Sequence, residues 1–409
     1  MSTHQRPRRL SRRAAIGLGA GFTGAAFLGS LNRALAAGEQ VSLLGVFPSS
    51  GAYAVFGRDT DRGIKLALAQ FNNTVLGQKV TYLTRDSQTN PGIAVQRVSD
   101  AIDHENVKFF IGVASSAVAL ALEPIAKQKQ AVFITSVGAD EVTGKDCNEY
   151  TFRWSVPTYG AVRSTMYPFI KANPGAKKWY TITPSYVFGD SLLRNVKEVA
   201  QEKGLELIGN DYHPLGASDF SSYITKAIEA KPDVVALLNF GGDAIKSIKT
   251  AASYGLKKNA KILYVWSGGL LDYGAIGSDA LDGVYVGCQY WHEASAATRK
   301  ASEPYQKAYG EPMGYVGASA YIEAWLVLKA IELAKSSDPL KVAKALESFK
   351  YAGPTGPEQV RAFDHQVVKP YYLLRGKAQS AMKDQWDFVE TLAESSYPVP
   401  RGVSECHLS

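Results

Sequence analysis

Residues 109–139, FFIGVASSAVALALEPIAKQKQAVFITSVGA, hold two kinds of apolar spacing back to back. The run 107–113, apolar but for Lys108, has the length and the aromatic, β-branched content of a strand buried on both faces, and it breaks at Ala114, Ser115 and Ser116. Val118, Leu120, Leu122, Ile125 and Ala126 then recur at helical intervals before a second buried strand at 131–135. A strand, a turn and a helix start in that order leave free amide N–H groups and the positive end of a helix dipole beside two small hydroxyls. That combination suits an anionic group such as a carboxylate. Two other uses of the serines stay open. Either can cap the helix, and either can serve as a nucleophile, although the G-x-S-x-G elbow is absent because Val113 and Ala114 follow Gly112.

The same alternation extends in both directions. Upstream, a strand at 41–47 ends at Pro48-Ser49-Ser50-Gly51, a helix is expected over about 56–73 and a strand at 79–84. Asn90 then caps a helix with Pro91 at its first position, ending near His104. Downstream, a short β-like run at 150–155 closes at Pro157 and the pattern restarts. Strands at 179–183, 205–212, 234–239 and 262–266 alternate with helices at 189–203, 220–230 and 244–254. A further strand is expected at 283–288, helices at 297–309, 316–335 and 339–349, and closing strands at 369–374 and 385–389. The helix at 316–335 reads as amphipathic, with Ile322, Leu326, Lys329 and Leu333 on neighbouring turns.

Repeated strand–helix units with right-handed crossovers give mostly parallel sheets covered on both faces. The fold class is therefore α/β, as two doubly wound Rossmann-like lobes. Helices that would complete the first lobe arrive after the second has been made, so the lobes are joined by a multi-strand hinge. The expected division is 38–156 plus 287–368 for the first lobe and 157–286 plus 369–409 for the second.

A length of 409 residues with 46% hydrophobic content supports two cores. The net charge of +7 suggests an acidic partner until its location is examined. Arg6, Arg8, Arg9, Arg12, Arg13 and Arg33 fall within residues 1–37, which carry no acid, leaving 39 basic against 38 acidic residues in the remainder. A nucleic-acid partner thus has no electrostatic support. Residues 1–37 read as an export signal: a basic region, a weakly apolar glycine-rich segment, and Ala34-Leu35-Ala36 as a cleavage site near Ala36. Ser11-Arg12-Arg13 resembles a twin-arginine signal; a retained membrane anchor is the alternative. Of three cysteines, Cys288 lies in an apolar run, whereas Cys147 and Cys406 lie in polar sequence and are expected to pair in an oxidising compartment. The alternative is that all three are reduced. No nucleotide-binding glycine motif, H-E-x-x-H or His/Cys cluster occurs, so neither cofactor nor metal is expected.

The chain resembles the periplasmic substrate-binding proteins of ABC importers, in particular the branched-chain amino acid (leucine/isoleucine/valine) binding type. The likeness runs over essentially all of the chain beyond the export signal. It is carried by VFPSSGAYAVFGRDTDRGIKLALAQFN at 46–72, RDSQTNP at 85–91, IGVASSAVALALEP at 111–124, FGDSL at 188–192, DFSS at 219–222 and FGGDAIKSIKTAASYGL at 240–256. Each motif alone is weak, and their order and spacing together are specific. The resemblance implies a periplasmic monomer, without enzymatic activity, that closes two lobes over a small organic ligand, an amino acid, an amide or an aromatic carboxylate, and delivers it to membrane permease subunits.

By the same resemblance Ser116 would bind a ligand carboxylate through its hydroxyl and N–H, with Ser115 beside it. Ser136, Val137, Gly138 and Ala139 would complete that clamp. Phe56 would come from the first loop, and Phe188, Phe240 and the Trp266-Ser267 turn from the second lobe. Amino acid binders of this type usually carry threonine in place of Ala139, tyrosines in place of Phe56, Phe188 and Phe240, and an acid near Trp266. The expected counter-charge for a ligand ammonium is therefore missing here. Burying an ammonium without an anion costs several kcal/mol, so either Asp243, Asp140 or Asp272 substitutes, or the ligand is an aromatic carboxylate stacked on these rings. The rings can equally be ordinary core. Two other functions are compatible with the sequence: a sensory ligand-binding protein of the same fold, and an exported serine hydrolase using Ser115 or Ser116.

Overall fold

Seven consecutive buried residues, VSLLGVF, make β1 (Val41–Phe47) an interior strand of the first sheet. The computed structural model describes residues 40–408, so the export segment expected over 1–37 lies outside the described residues. After β1 come α1 (Gly57–Gln70), β2 (Thr74–Val75), β3 (Gln78–Asp86), α2 (Pro91–Glu105), β4 (Phe109–Gly112), α3 (Ser116–Lys129), β5 (Val132–Thr135) and β6 (Thr151–Arg153). Asn90 caps α2 by accepting the Ile93 amide at 3.1 Å. The strand order is β2-β3-β1-β4-β5-β6, and Gly45 of β1 pairs in parallel with Thr84 and Ile111. From β1 the chain crosses to β3 on one side, and from β4 it crosses to β5 on the other. The carboxyl ends of β1 and β4 therefore flank a topological switch point, where open α/β sheets form their crevice.

The second sheet repeats this plan. It is built from α4 (Thr158–Ala172), β7 (Lys178–Pro184), α5 (Val187–Lys203), β8 (Glu206–His213), α6 (Ser221–Glu229), β9 (Val234–Leu237), α7 (Gly242–Ser253), β10 (Lys261–Ser267), α8 (Leu270–Ile276) and β11 (Tyr285–Cys288). Next, α9 (Ala296–Tyr309), α10 (Tyr315–Ala334) and α11 (Pro339–Leu346) return to the first sheet's side. A three-stranded sheet follows, made of β12 (Lys350–Gly353), β13 (Gly356–Val360) and β14 (Val367–Val368). Finally β15 (Tyr371–Gly376) and β16 (Val389–Ser395) extend the second sheet antiparallel, in the order β16-β15-β11-β10-β9-β7-β8. Its switch point lies between β7 and β9.

Beyond β2, α8 and the strands β12 to β14, for which the sequence reading gives no expectation, three elements depart from it for identifiable reasons. Helix α4 was not anticipated, because Gly160 and Pro168 interrupt a pattern whose Val162, Met166 and Phe169 are nevertheless fully buried. Helix α10 is not amphipathic: it is buried around most of its circumference, wedged between α1, α11 and strands β4 and β5. The strand expected at 385–389 starts only at Val389. The segment before it is held as a turn by acids that capture amides, Asp384 from Trp386 at 2.8 Å and Asp387 from Lys383 at 3.0 Å.

The chain passes between the two sheets near Val156, Gln289 and Lys369, and side-chain amides lace these passages together. The Gln289 amide both accepts from the Val156 N–H and donates to its carbonyl, each at 2.9 Å. Gln366 Nε2 donates to the Ser155 carbonyl at 2.8 Å, and Lys369 Nζ to the Gln289 carbonyl at 2.8 Å. A fourth connection is covalent. Cys147, beyond β5, is bonded to Cys406 in the tail that follows β16, with 5.7 Å between Cα atoms, while Cys288 is a buried free thiol. Removing the bond as Cys147→Ser should lower stability by about 2–4 kcal/mol. Urea titration and faster tryptic cleavage at Arg401 in the freed tail would report it; an unchanged midpoint and digest would show that noncovalent contacts alone hold the tail.

Candidate functional site

The two switch points face each other across one enclosed cavity. Its lining from the first sheet's side includes Phe56 and Thr60 after β1, Gly112 to Ala114 and Ser116 after β4, and Ser136 to Gly138 after β5. Helix α10 adds Tyr315, Val316, Ser319, Ala320 and Glu323, and the second sheet's side supplies Tyr186, Phe188, Phe240 and Trp266. The enclosed space is about 40 Å³, room for only a few water molecules. The walls are closed by contacts across it. Phe56 stacks on Phe240 with ring centroids 4.8 Å apart, and the Tyr53 and Tyr186 hydroxyls meet at 2.6 Å. Outside the cavity, towards the surface, the Asp140 amide donates to Ser191 Oγ at 3.1 Å, and Arg194 pairs with Glu141 at 3.0 Å.

The polar and apolar groups are segregated. Ser116 opens α3, and its hydroxyl accepts the Ala139 amide at 3.2 Å, so the loop after β5 is tied to the helix N-terminus. The approach to that helix is constrained: Val113 sits at φ 59°, a left-handed conformation rare for a β-branched residue, with its amide pinned to the Val46 carbonyl at 2.6 Å. Glu323 is buried, accepts from the Gly112 amide at 2.8 Å and from Ser136 Oγ, and burial pushes its carboxyl well above the usual carboxylate range. No lysine, arginine or histidine lines the cavity among the described residues. The opposite wall is aromatic, with Phe188 and Trp266 edge to face at 5.4 Å.

Of the residues singled out from sequence, the structure brings together Phe56, Ser116, Ser136, Val137, Gly138, Phe188, Phe240 and Trp266. Ser115 takes the N-cap position of α3 without a side-chain capping bond, and Ala139 is buried just beyond the lining. Ser267 turns away to the Tyr273 hydroxyl at 2.8 Å. None of the three acids offered as counter-charge reaches the cavity lining. Asp243 accepts from the Gly216 amide at 2.9 Å and lies 3.9 Å from His213, and Asp272 is occupied by the Tyr264 hydroxyl at 2.6 Å. Asp140 accepts from Asn195 and the Tyr159 amide at 2.6 and 2.8 Å. Sequence reasoning missed Glu323, Tyr186, Tyr315, Ser319 and Thr60. An acid inside the apolar run of α10 was the one signal available for Glu323.

Comparison with known proteins bears on the whole arrangement. Residues 40–381 match the sequence model of a family described as periplasmic binding protein. The chain is 26% identical over 352 residues to Leu/Ile/Val-binding protein homolog 6 of Brucella melitensis, covering 83% of this chain and 88% of that one. Among solved structures it is similar to an amino acid ABC transporter substrate-binding protein from Pseudomonas fluorescens Pf-5, with TM-score 0.87, 46% identity and coverage of 91% of this chain and 100% of the other. A solute-binding protein of an R. palustris ABC transporter in complex with benzoate shares the fold, with TM-score 0.81, 24% identity and coverage of 90% and 100%.

Proposed function

Because the chain belongs to the periplasmic binding protein family, we propose that it is the solute-binding component of an ABC importer that captures a small carboxylate between two closing lobes. One observation carries this reading. A helix N-terminus with a serine hydroxyl and an aromatic wall from the opposite sheet face each other across one cavity, so partners for an anionic head and for an apolar body stand on opposite sides of the same cleft. The ligand carboxylate lies on the Ser116 hydroxyl and the amides at the start of α3, and its body lies against Phe188, Phe240 and Trp266. Residues 38–156 with 287–368 and 157–286 with 369–409 are the two moving bodies, and the passages near Val156, Gln289 and Lys369 are the hinge. The family's periplasmic setting and membrane permease partners come with this assignment. The ligands named for its relatives, branched-chain amino acids and benzoate, have a carboxylate in common.

A thermal-shift screen over amino acids and aromatic acids, followed by small-angle X-ray scattering, tests the reading. A specific carboxylate at a hundredfold excess over Kd should stabilise the protein by about 2.7 kcal/mol and reduce its radius of gyration. Ser116→Ala should then weaken binding about tenfold, as expected for one hydrogen bond to a charged group. Failure of every carboxylate to shift melting or scattering would rule the proposal out.

A further inference from the structure

Helix α10 carries a single acid into the cavity, and no lysine, arginine or histidine among the described residues lines it. Glu323 is 1% exposed, on a helix whose other cavity-lining residues, Tyr315, Val316, Ser319 and Ala320, are uncharged. Its two oxygens are held in place by different strand ends, one by the Gly112 amide at the end of β4 and the other by Ser136 just beyond β5. Both donors are neutral. The cations of neighbouring segments are engaged elsewhere: Arg153 donates to Gln366 and to the Ala139 carbonyl, Lys369 to the Gln289 carbonyl, and Arg194 pairs with Glu141. A carboxylate without a counter-cation is costly in such a place, and the cost is removed when a cation arrives. The acid is also next to the proposed anion site, since Gly112 and Ser116 belong to one loop and Ser136 to the loop tied to it by the Ala139 amide.

We infer that Glu323 is the ammonium site of this cleft, so that the carboxylate ligand proposed above is one that also bears an amine near its carboxyl group, as an α-amino acid does. The inference rests on that reading and narrows it. The counter-charge comes from the first sheet's side of the cleft, instead of from the region of Trp266. It is also coupled to a proton. Burial holds Glu323 well above the usual carboxylate range, which favours its neutral form in the empty cleft. An incoming ammonium ion converts it to the carboxylate, which keeps its bonds from Gly112 and Ser136 and gains the ligand's N–H groups. The displaced proton leaves to solvent, and the ligand keeps all of its own.

Isothermal titration calorimetry at pH 7.5, in phosphate and in Tris, distinguishes the outcomes. The probes are L-leucine and L-phenylalanine against 4-methylpentanoate and 3-phenylpropanoate, which differ from them by the amino group alone. The amino acids should bind at least about thirtyfold more tightly, and the difference in apparent enthalpy between buffers should correspond to release of close to one proton. Glu323→Gln should remove both the proton release and the preference for amino acids over their desamino analogues. Desamino acids that bind as tightly as amino acids, or amino acid binding without proton release, would overturn the inference while sparing the proposed function. Equal weakening of both classes by Glu323→Gln would reduce the residue to a brace for β4 and β5. If neither class binds, the inference falls, and the wider carboxylate screen decides the proposed function separately. Should the variant not fold, preference and proton count on the unaltered protein still decide.

Discussion

Replacing Gly138 with valine should leave a stable protein that has lost about a hundredfold or more in ligand affinity. A Cβ at this position would stand 2.5 Å from a Phe188 ring carbon and 2.9 Å from the far edge of the Trp266 indole. Those rings belong to the opposite side of the cleft, so the clash exists only when the two sides meet. Contacts this short cost about 1–3 kcal/mol for one added methyl-sized group, and valine brings three. The cost falls entirely on the closed state, and apparent affinity drops by the fraction of molecules that can still close. Scattering should give an expanded particle with and without ligand, an unchanged unliganded melting temperature, and an intermediate result for Gly138→Ala. Wild-type affinity in the valine variant would mean that binding does not require these walls to meet.

Glu123→Met should raise stability by about 2–4 kcal/mol at pH 7.5 and by almost nothing at pH 4.5. Glu123 lies on α3, 2% exposed, and neither side-chain oxygen has a hydrogen-bond partner among the described residues. Burial raises its carboxyl from the ordinary range to about 9; the charge of Arg153 opposes this and that of Asp146 adds to it. In the unfolded chain the group ionises near pH 4.5, in the folded chain near 9, so the folded state binds the extra proton throughout that window. Stability contributed by this group is complete below pH 4.5 and is lost as pH rises. Methionine fills a similar volume and has nothing to ionise, so it removes that loss. Urea titrations at pH 4.5, 6 and 7.5 would measure the growing difference. A pH-independent difference would show that Glu123 is solvated or paired in the folded protein.

Most of the architecture was legible because the strands of a parallel sheet are covered on both faces. Runs such as VSLLGVF and VVAL announce themselves without alternation. Helix α4 escaped for the opposite reason, since its glycine and proline carry breaker signals that tertiary packing overrides. The cavity was half legible. Ser116 sits at a strand-to-helix junction, a local feature that sequence spacing displays, and the aromatic wall follows strand ends in the same way. Glu323 is separated from Ser116 by more than half the chain and reaches it only because α10 returns to the first sheet after the second is complete. Spacing along the chain contains no trace of such a meeting. Asp243 and Asp272 attracted notice as acids near the aromatic motifs, yet each is consumed by a local amide or hydroxyl.

The segregation of the cleft, with hydroxyls, amides and the acid on one side and rings on the other, sets an order of events. In the open form a solute meets head-group donors and the acid already preassembled on a single body, which can hold it before the two sides meet. The aromatic face lies on the other body and closes over it afterwards. Recognition is thus divided in time: head-group chemistry governs arrival, and side-chain shape governs how long the jaws stay shut. A solute with the right head and a misfit body would be admitted often and released quickly, which makes residence time, more than encounter rate, the quantity that selects cargo.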